Sequence, residues 1–274
     1  MHKIENFEVE ITTLNRTRKV WVYLPDGYER ESDKRYPVIY MHDGQNLFYD
    51  KLTAYGAAWH VERAIDGICA ATGNACIVVG VECLPERRLS EYSPWKMTPL
   101  AYLANKNPQD KCNRGGEGGA YGEWFATALK QLIDKRYNTD PSRNATAVAG
   151  SSMGGLISCY LGLKYQQIYE TMGLFSTYTE FNQWAFDKFV RSTPQTEKQH
   201  AFVYCGGKEW GEGDKGNRVM VRNSVRLYDV LAKRNVACEL VLNSELPHYE
   251  TAWEIYFRKF AQDFLSRYYT SKTT

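Results

Sequence analysis

The sequence predicts an α/β fold, with a mostly parallel central sheet and helices on both faces. Short continuous apolar runs alternate with helical patterns along the chain, as strands covered on both faces require. A helical stretch between the apolar runs 38–41 and 75–81 makes a βαβ unit, which brings a parallel pair with a right-handed crossover. At 274 residues, 43% hydrophobic and 24% charged, the chain has ordinary globular composition and ample core for independent folding. No repeat, low-complexity segment or linker divides it, so one domain over 1–274 is expected.

The elements follow from local pattern. Phe7, Val9 and Ile11 alternate with polar residues, and the run 20–24 follows a short charged link, which reads as an antiparallel pair. Residues 38–41 form the third strand and end in His42-Asp43-Gly44-Gln45-Asn46-Leu47-Phe48. Residues 56–71 look helical, with Trp59, Ala64 and Ile68 on one side, and 75–81 is the next strand. Residues 82–118 show little periodicity and much Pro, Asn, Lys and Gly, the marks of a functional loop over a site. Residues 120–137 carry Tyr121, Phe125, Leu129, Leu132 and Ile133 on one helical stripe. Strands are expected near 145–148, 171–176, 201–205 and 236–242, and 177–199 reads as a second active-site loop. Residues 217–233 are helical, and Trp253, Tyr256, Phe257, Phe260 and Phe264 mark the apolar face of a last helix.

The chemistry centres on Ala149-Gly150-Ser151-Ser152-Met153-Gly154-Gly155, between an apolar strand and a helix-like run. Strand, sharp glycine turn, serine and helix form the context in which Gly-x-Ser-x-Gly presents a nucleophile. Gly150 and Gly154 stand two residues before and after Ser152, which makes Ser152 the central serine. The helix start aims N–H groups and a positive dipole end at the hydroxyl.

A serine hydroxyl needs an imidazole base and an orienting carboxylate. In α/β-hydrolases the acid follows the serine and the histidine comes last. Only His200 and His248 follow Ser152; His200 starts a strand, at the wrong end of the sheet, whereas His248 lies in the loop after the last one. The acid is expected after the strand ending at Cys205. Glu209 is preferred for its short loop, with Asp214 the alternative and Glu212 on the same stretch. An oxyanion needs two N–H donors, assigned to the backbone of Met153 and of Gln45, where Gly44 allows close approach.

The segments 42–48, 88–94, 134–137, 149–155 and 206–209 together resemble the putative esterase family of α/β-hydrolases, in matching order from about residue 8 to 266. That family holds esterase D-like enzymes, enterochelin esterases, feruloyl and acetylxylan esterases and mycolyl transferases. The resemblance implies an α/β-hydrolase fold with loop insertions over the site and a serine carboxylic ester hydrolase. It also places the cluster Arg88, Glu91 and Tyr92 near the cleft, as substrate contacts. Many members carry aspartate where this chain has Glu209, and some work with serine and histidine alone.

Other classes fit less well. Lys+Arg 34 against Asp+Glu 32 leaves a net charge of +2, with no pull toward nucleic acid or membrane. No apolar run reaches membrane-spanning length, and the start lacks a signal-peptide core, so a cytoplasmic protein or a trimmed secreted one is expected. No metal spacing or dinucleotide fingerprint is present, so neither metal nor cofactor is expected. An acyltransferase on the same fold, or a non-catalytic carbohydrate-binding protein, are the alternatives. Tyr92, Trp95, Tyr102, Tyr178, Phe181, Trp184 and Phe186 are expected at the pocket rim, which favours short-acyl or aryl esters, carbohydrate-linked, over lipids.

Overall fold

The computed structural model describes residues 1–29, 32–53, 56–99 and 115–273. Its described strands make one eight-stranded sheet in the order β1-β2-β4-β3-β5-β6-β7-β8. β1 (Lys3–Ile11) and β2 (Arg16–Leu24) form the expected antiparallel hairpin, and β2 continues antiparallel onto β4. From β4 (Ile77–Val81) through β3 (Val38–His42), β5 (Thr146–Ser151), β6 (Thr171–Phe175), β7 (His200–Gly206) and β8 (Ala237–Asn243) every pairing is parallel.

Residues of the central strands are apolar in both registers because both faces are covered. Tyr40, Val79 and Val148 face one core, while Ile39, Met41, Val78 and Ala149 face the other. α1 (Val61–Thr72) and the last helix, α8 (Glu250–Thr273), cover the second face. Trp253, Phe257, Phe260 and Phe264 are buried there, as the aromatic stripe predicts. The first face carries the helical segment Gly118–Trp124 (α3), a π turn over Phe125–Leu129 and Lys130–Arg136 (α4), then α5 (Met153–Lys164) and α7 (Lys215–Ala232). No described helix is long and apolar enough to cross a membrane.

Three boundaries differ from the sequence reading. α1 begins at Val61 rather than near 56, because His60 sits at φ 45, outside helical geometry. Residues 82–118 contain α2 (Pro85–Glu91), opened by a proline at its first position but too short to show a period. Residues 177–199 contain a 3-10 turn, Thr179–Asn182, and α6 (Gln183–Ser192), whose start Asn182 caps by accepting from Ala185 N–H. These stretches are thus partly regular structure, and only 100–114 of the first falls outside the described residues.

Candidate active site

β5 delivers the serine turn. Ser152 stands at φ 56, ψ −120, and α5 starts at the next residue. Such a backbone costs a non-glycine residue roughly 1–3 kcal/mol and persists only where surroundings fix it. Here Ser152 N–H donates to Phe175 O at 2.9 Å, and its carbonyl accepts from Tyr178 N–H at 3.1 Å and Leu156 N–H at 3.1 Å. The neighbours must be small: a Cβ on Gly150 would lie 2.7 Å from the Gly154 carbonyl, and one on Gly155 2.7 Å from Thr177 Oγ1. Ser151 is buried and Ser152 half-buried, so the central serine is the one a substrate can reach.

The loop expected to supply an oxyanion donor leaves β3 through a second residue of positive φ. Asp43, at φ 56, precedes the 3-10 turn Gly44–Asn46. Gly44 passes so close to β4 that a Cβ would lie 2.6 Å from the Gly80 carbonyl. Arg88 fixes this corner with two 2.8 Å bonds to the Asp43 carboxylate, and Asp43 N–H donates to Tyr92 Oη at 3.0 Å. Burial alone would raise the Asp43 carboxyl; the Arg88 charge and hydrogen bonds outweigh it and hold it below the usual aspartate range. The Gln45 side chain joins Cys83, accepting from its N–H at 3.0 Å and donating to Sγ at 3.3 Å, so it ties the loop to the end of β4. The first N–H groups of a helical turn have no acceptor within it, which leaves those of Gln45 and Met153 suited to an incoming anion. His42 is buried against Phe125, at 4.6 Å between ring centres, and burial pushes its pKa down to about 3. It is a neutral core residue.

In this geometry Arg88 braces the loop that carries Gln45. Arg88→Gln is expected to lower kcat about a hundredfold with KM little changed, since the loop carrying the Gln45 donor loses its clamp. Steady-state kinetics on a p-nitrophenyl ester checks this, and a change confined to KM would refute it.

The histidine loop follows β8. Gly206 and Gly207 let it cross: a Cβ on Gly206 would lie 2.2 Å from Leu246 O, and one on Gly207 2.5 Å from Ser244. His248 Nδ1 hydrogen-bonds Glu209 Oε2. The other carboxylate oxygen accepts from Ser176 Oγ at 2.6 Å and from Gly206 N–H, and Ser176 Oγ accepts from Trp253 Nε1 at 3.0 Å. Burial would raise the Glu209 carboxyl, but the bond and charge of His248, with Ser176 and Gly206 N–H, hold it below the usual glutamate range. Asp214 is exposed and caps α7, accepting from Gly216 N–H; Glu212 is exposed too. Of the three carboxylates weighed, Glu209 is the one on the imidazole. Ser152 joins this group through its bond to Phe175, next to Ser176. No hydrogen bond between Ser152 Oγ and His248 is formed among the described residues; such contacts are often long before substrate binds.

The expected substrate contacts move. Glu91 is 0% exposed and paired with Arg18 and Arg16, and Tyr92 is 0% exposed beneath Asp43. Both hold the scaffold, out of a ligand's reach. Trp184 is 72% exposed and lines a surface groove with Lys188, Arg191 and Ser192, all on α6. Phe181 and Phe186 are core residues, Trp95 packs against Tyr160 and Phe186, and Tyr102 lies outside the described residues. The aromatics beside the histidine are instead Trp210, stacked on His248 at 5.2 Å and 15°, and Trp253, edge-on at 5.0 Å. Tyr178 meets Trp210 at 6.5 Å. The sequence signal for Trp210 was its place directly after Glu209.

Comparison with known proteins bears on the family and the fold. A family model described as putative esterase matches residues 11–253. The uncharacterized protein YbbA of Bacillus subtilis (strain 168) is 26% identical over 218 residues, 79% of each chain. Among solved structures, an IroE-like serine hydrolase from Shewanella oneidensis superposes with TM-score 0.77 at 18% identity, covering 96% of this chain and 80% of that one. A ferulic acid esterase superposes with TM-score 0.70 at 17% identity, covering 97% and 99%. A mostly parallel sheet, a strained serine at the end of a central strand and a family match across nearly the whole chain lead to one assignment: this chain belongs to the putative esterase family and is a carboxylic ester hydrolase of the α/β-hydrolase fold.

Proposed function

We propose that the chain hydrolyses esters through an acyl-enzyme on Ser152, with His248 as base and Glu209 as its orienting acid. The observation that carries this reading is the Glu209–His248 pair, whose loops follow β7 and β8, with β6 between β7 and the strand that ends in the strained Ser152 turn. In the first step His248 Nε2 takes the Ser152 proton as Oγ bonds the ester carbonyl carbon. The carbonyl oxygen becomes an anion facing the N–H groups of Met153 and Gln45. Collapse breaks the bond to the alcohol, which leaves with the proton from His248. Water then repeats the sequence against the acyl-serine and releases the acid. Glu209, kept ionised, fixes the imidazole with Nδ1 protonated and Nε2 toward the serine, and stabilises the imidazolium.

Short-acyl or aryl esters, carbohydrate-linked, are the proposed substrates. Trp210 and Tyr178 support this: Trp210 lies flat on the His248 ring and is 48% exposed, and Tyr178 meets it edge-on, an aromatic wall suited to a planar acyl or sugar group. One similar structure is, by its name, a ferulic acid esterase, and ferulic acid is an aryl acid. The test is kcat/KM across acetyl, butyryl, feruloyl and palmitoyl esters. Acetyl or feruloyl is expected to lead; a clear preference for palmitoyl would sink the substrate assignment.

A further inference from the structure

His248 is gripped from more than its carboxylate. Glu209 and Trp210 are consecutive, and the loop they share brings the first to the Nδ1 edge and the second flat onto the ring. That loop is pinned. Trp210 N–H donates to Asn217 Oδ1 at 2.8 Å, and Asn217 Nδ2 donates to Gly211 O at 2.7 Å. Gly211 and Gly213 take positive φ, and a Cβ on Gly216 would lie 2.6 Å from Trp210 Cδ1. The indole therefore has a bed that only glycine leaves open. Trp253 meets the imidazole edge-on, held by its own bond to Ser176.

We propose that Trp210 is a positioning residue, whose stacked indole fixes the plane of His248 and stabilises the imidazolium formed when Ser152 gives up its proton. The proposal rests on the serine mechanism above. An indole face is electron-rich and attracts a cation laid over it, so it favours the protonated ring over the neutral one. The electrostatic gain arises only when His248 takes the proton, so it falls on kcat more than on KM. The charged groups facing His248 are Glu209 and, from the first turn of α8, Glu250, which in turn faces Asp43 and Arg88. None of these differs between the two variants compared below.

The experiment sets Trp210→Phe against Trp210→Leu, which both keep an apolar cover while only the first keeps a π face. With p-nitrophenyl acetate the kcat of the Leu variant is expected to fall roughly three- to tenfold below that of the Phe variant. The His248 ring, followed by NMR during a pH titration, is expected to take up its proton about half a pH unit lower in the Leu variant than in Phe. Coinciding titrations would overturn the proposal, as would a Leu variant altered in KM alone. The titration needs no turnover, so it decides the stacking role separately from the serine mechanism. Normal activity in His248→Ala would sink that mechanism instead.

Discussion

Ser152→Ala is expected to lower kcat by about a million-fold while the protein stays folded. The size follows from the lost nucleophile: with no hydroxyl for His248 to activate, only the oxyanion donors and binding remain. The fold should persist, since the bonds that hold this turn run through the backbone of Ser152 to Phe175, Tyr178 and Leu156, and alanine keeps them. Stability is expected to change by less than about 1 kcal/mol, because residue 152 stays at positive φ in both proteins. A fluorophosphonate probe should label the parent on Ser152 and leave the variant unlabelled. Labelling of Ser151, which is buried, would overturn the assignment.

Glu209→Gln should cost about four orders of magnitude in kcat, because an amide can present its N–H to Nδ1 and select the wrong tautomer. Asp214→Asn should leave turnover near normal, since that side chain caps a helix and asparagine caps as well. Near-normal activity in Glu209→Gln would indicate that serine and histidine suffice. The carboxylate also leaves a mark on stability. Its folded pKa is depressed, so below the ordinary glutamate range the unfolded chain binds the extra proton first. The contribution of Glu209 is therefore fully present above that range and is lost as pH falls through the folded value. Melting temperature should drop more steeply on acidification in the parent than in Glu209→Gln; equal slopes would show that Glu209 gains nothing from its partners.

The geometry of the candidate site was legible where it depends on local spacing. Gly150, Ser152 and Gly154 belong to one tight turn in which Gly150 leaves no room for a Cβ, and chain order and sheet end point to His248. The strands were legible too, since apolar runs covered on both faces carry no competing pattern. The substrate wall was not. An aromatic in an aperiodic stretch can face either way, and Tyr92 at the end of α2, Phe181 in the 3-10 turn Thr179–Asn182 and Phe186 in α6 all went into the core. Arg88 likewise reads as a ligand-binding cation until Asp43, 45 positions away, is seen to accept from its Nε and one Nη. Long-range pairings of this kind leave no trace in spacing.

The order of strands divides the site between a secure half and an exposed one. The nucleophile and the oxyanion loop leave β5 and β3, each paired on both sides, whereas the histidine hangs behind β8, which pairs only with β7 among the described strands. Every residue of β8 is at least partly exposed, and Leu242 is 45% exposed. Peeling that border strand away removes a single ladder and leaves the pairings of the other seven strands untouched, yet it carries off the base. Regions with few buried contacts open at a small fraction of the global unfolding free energy. Catalytic competence and the native sheet are accordingly expected to be held by separate margins, the narrower one at His248.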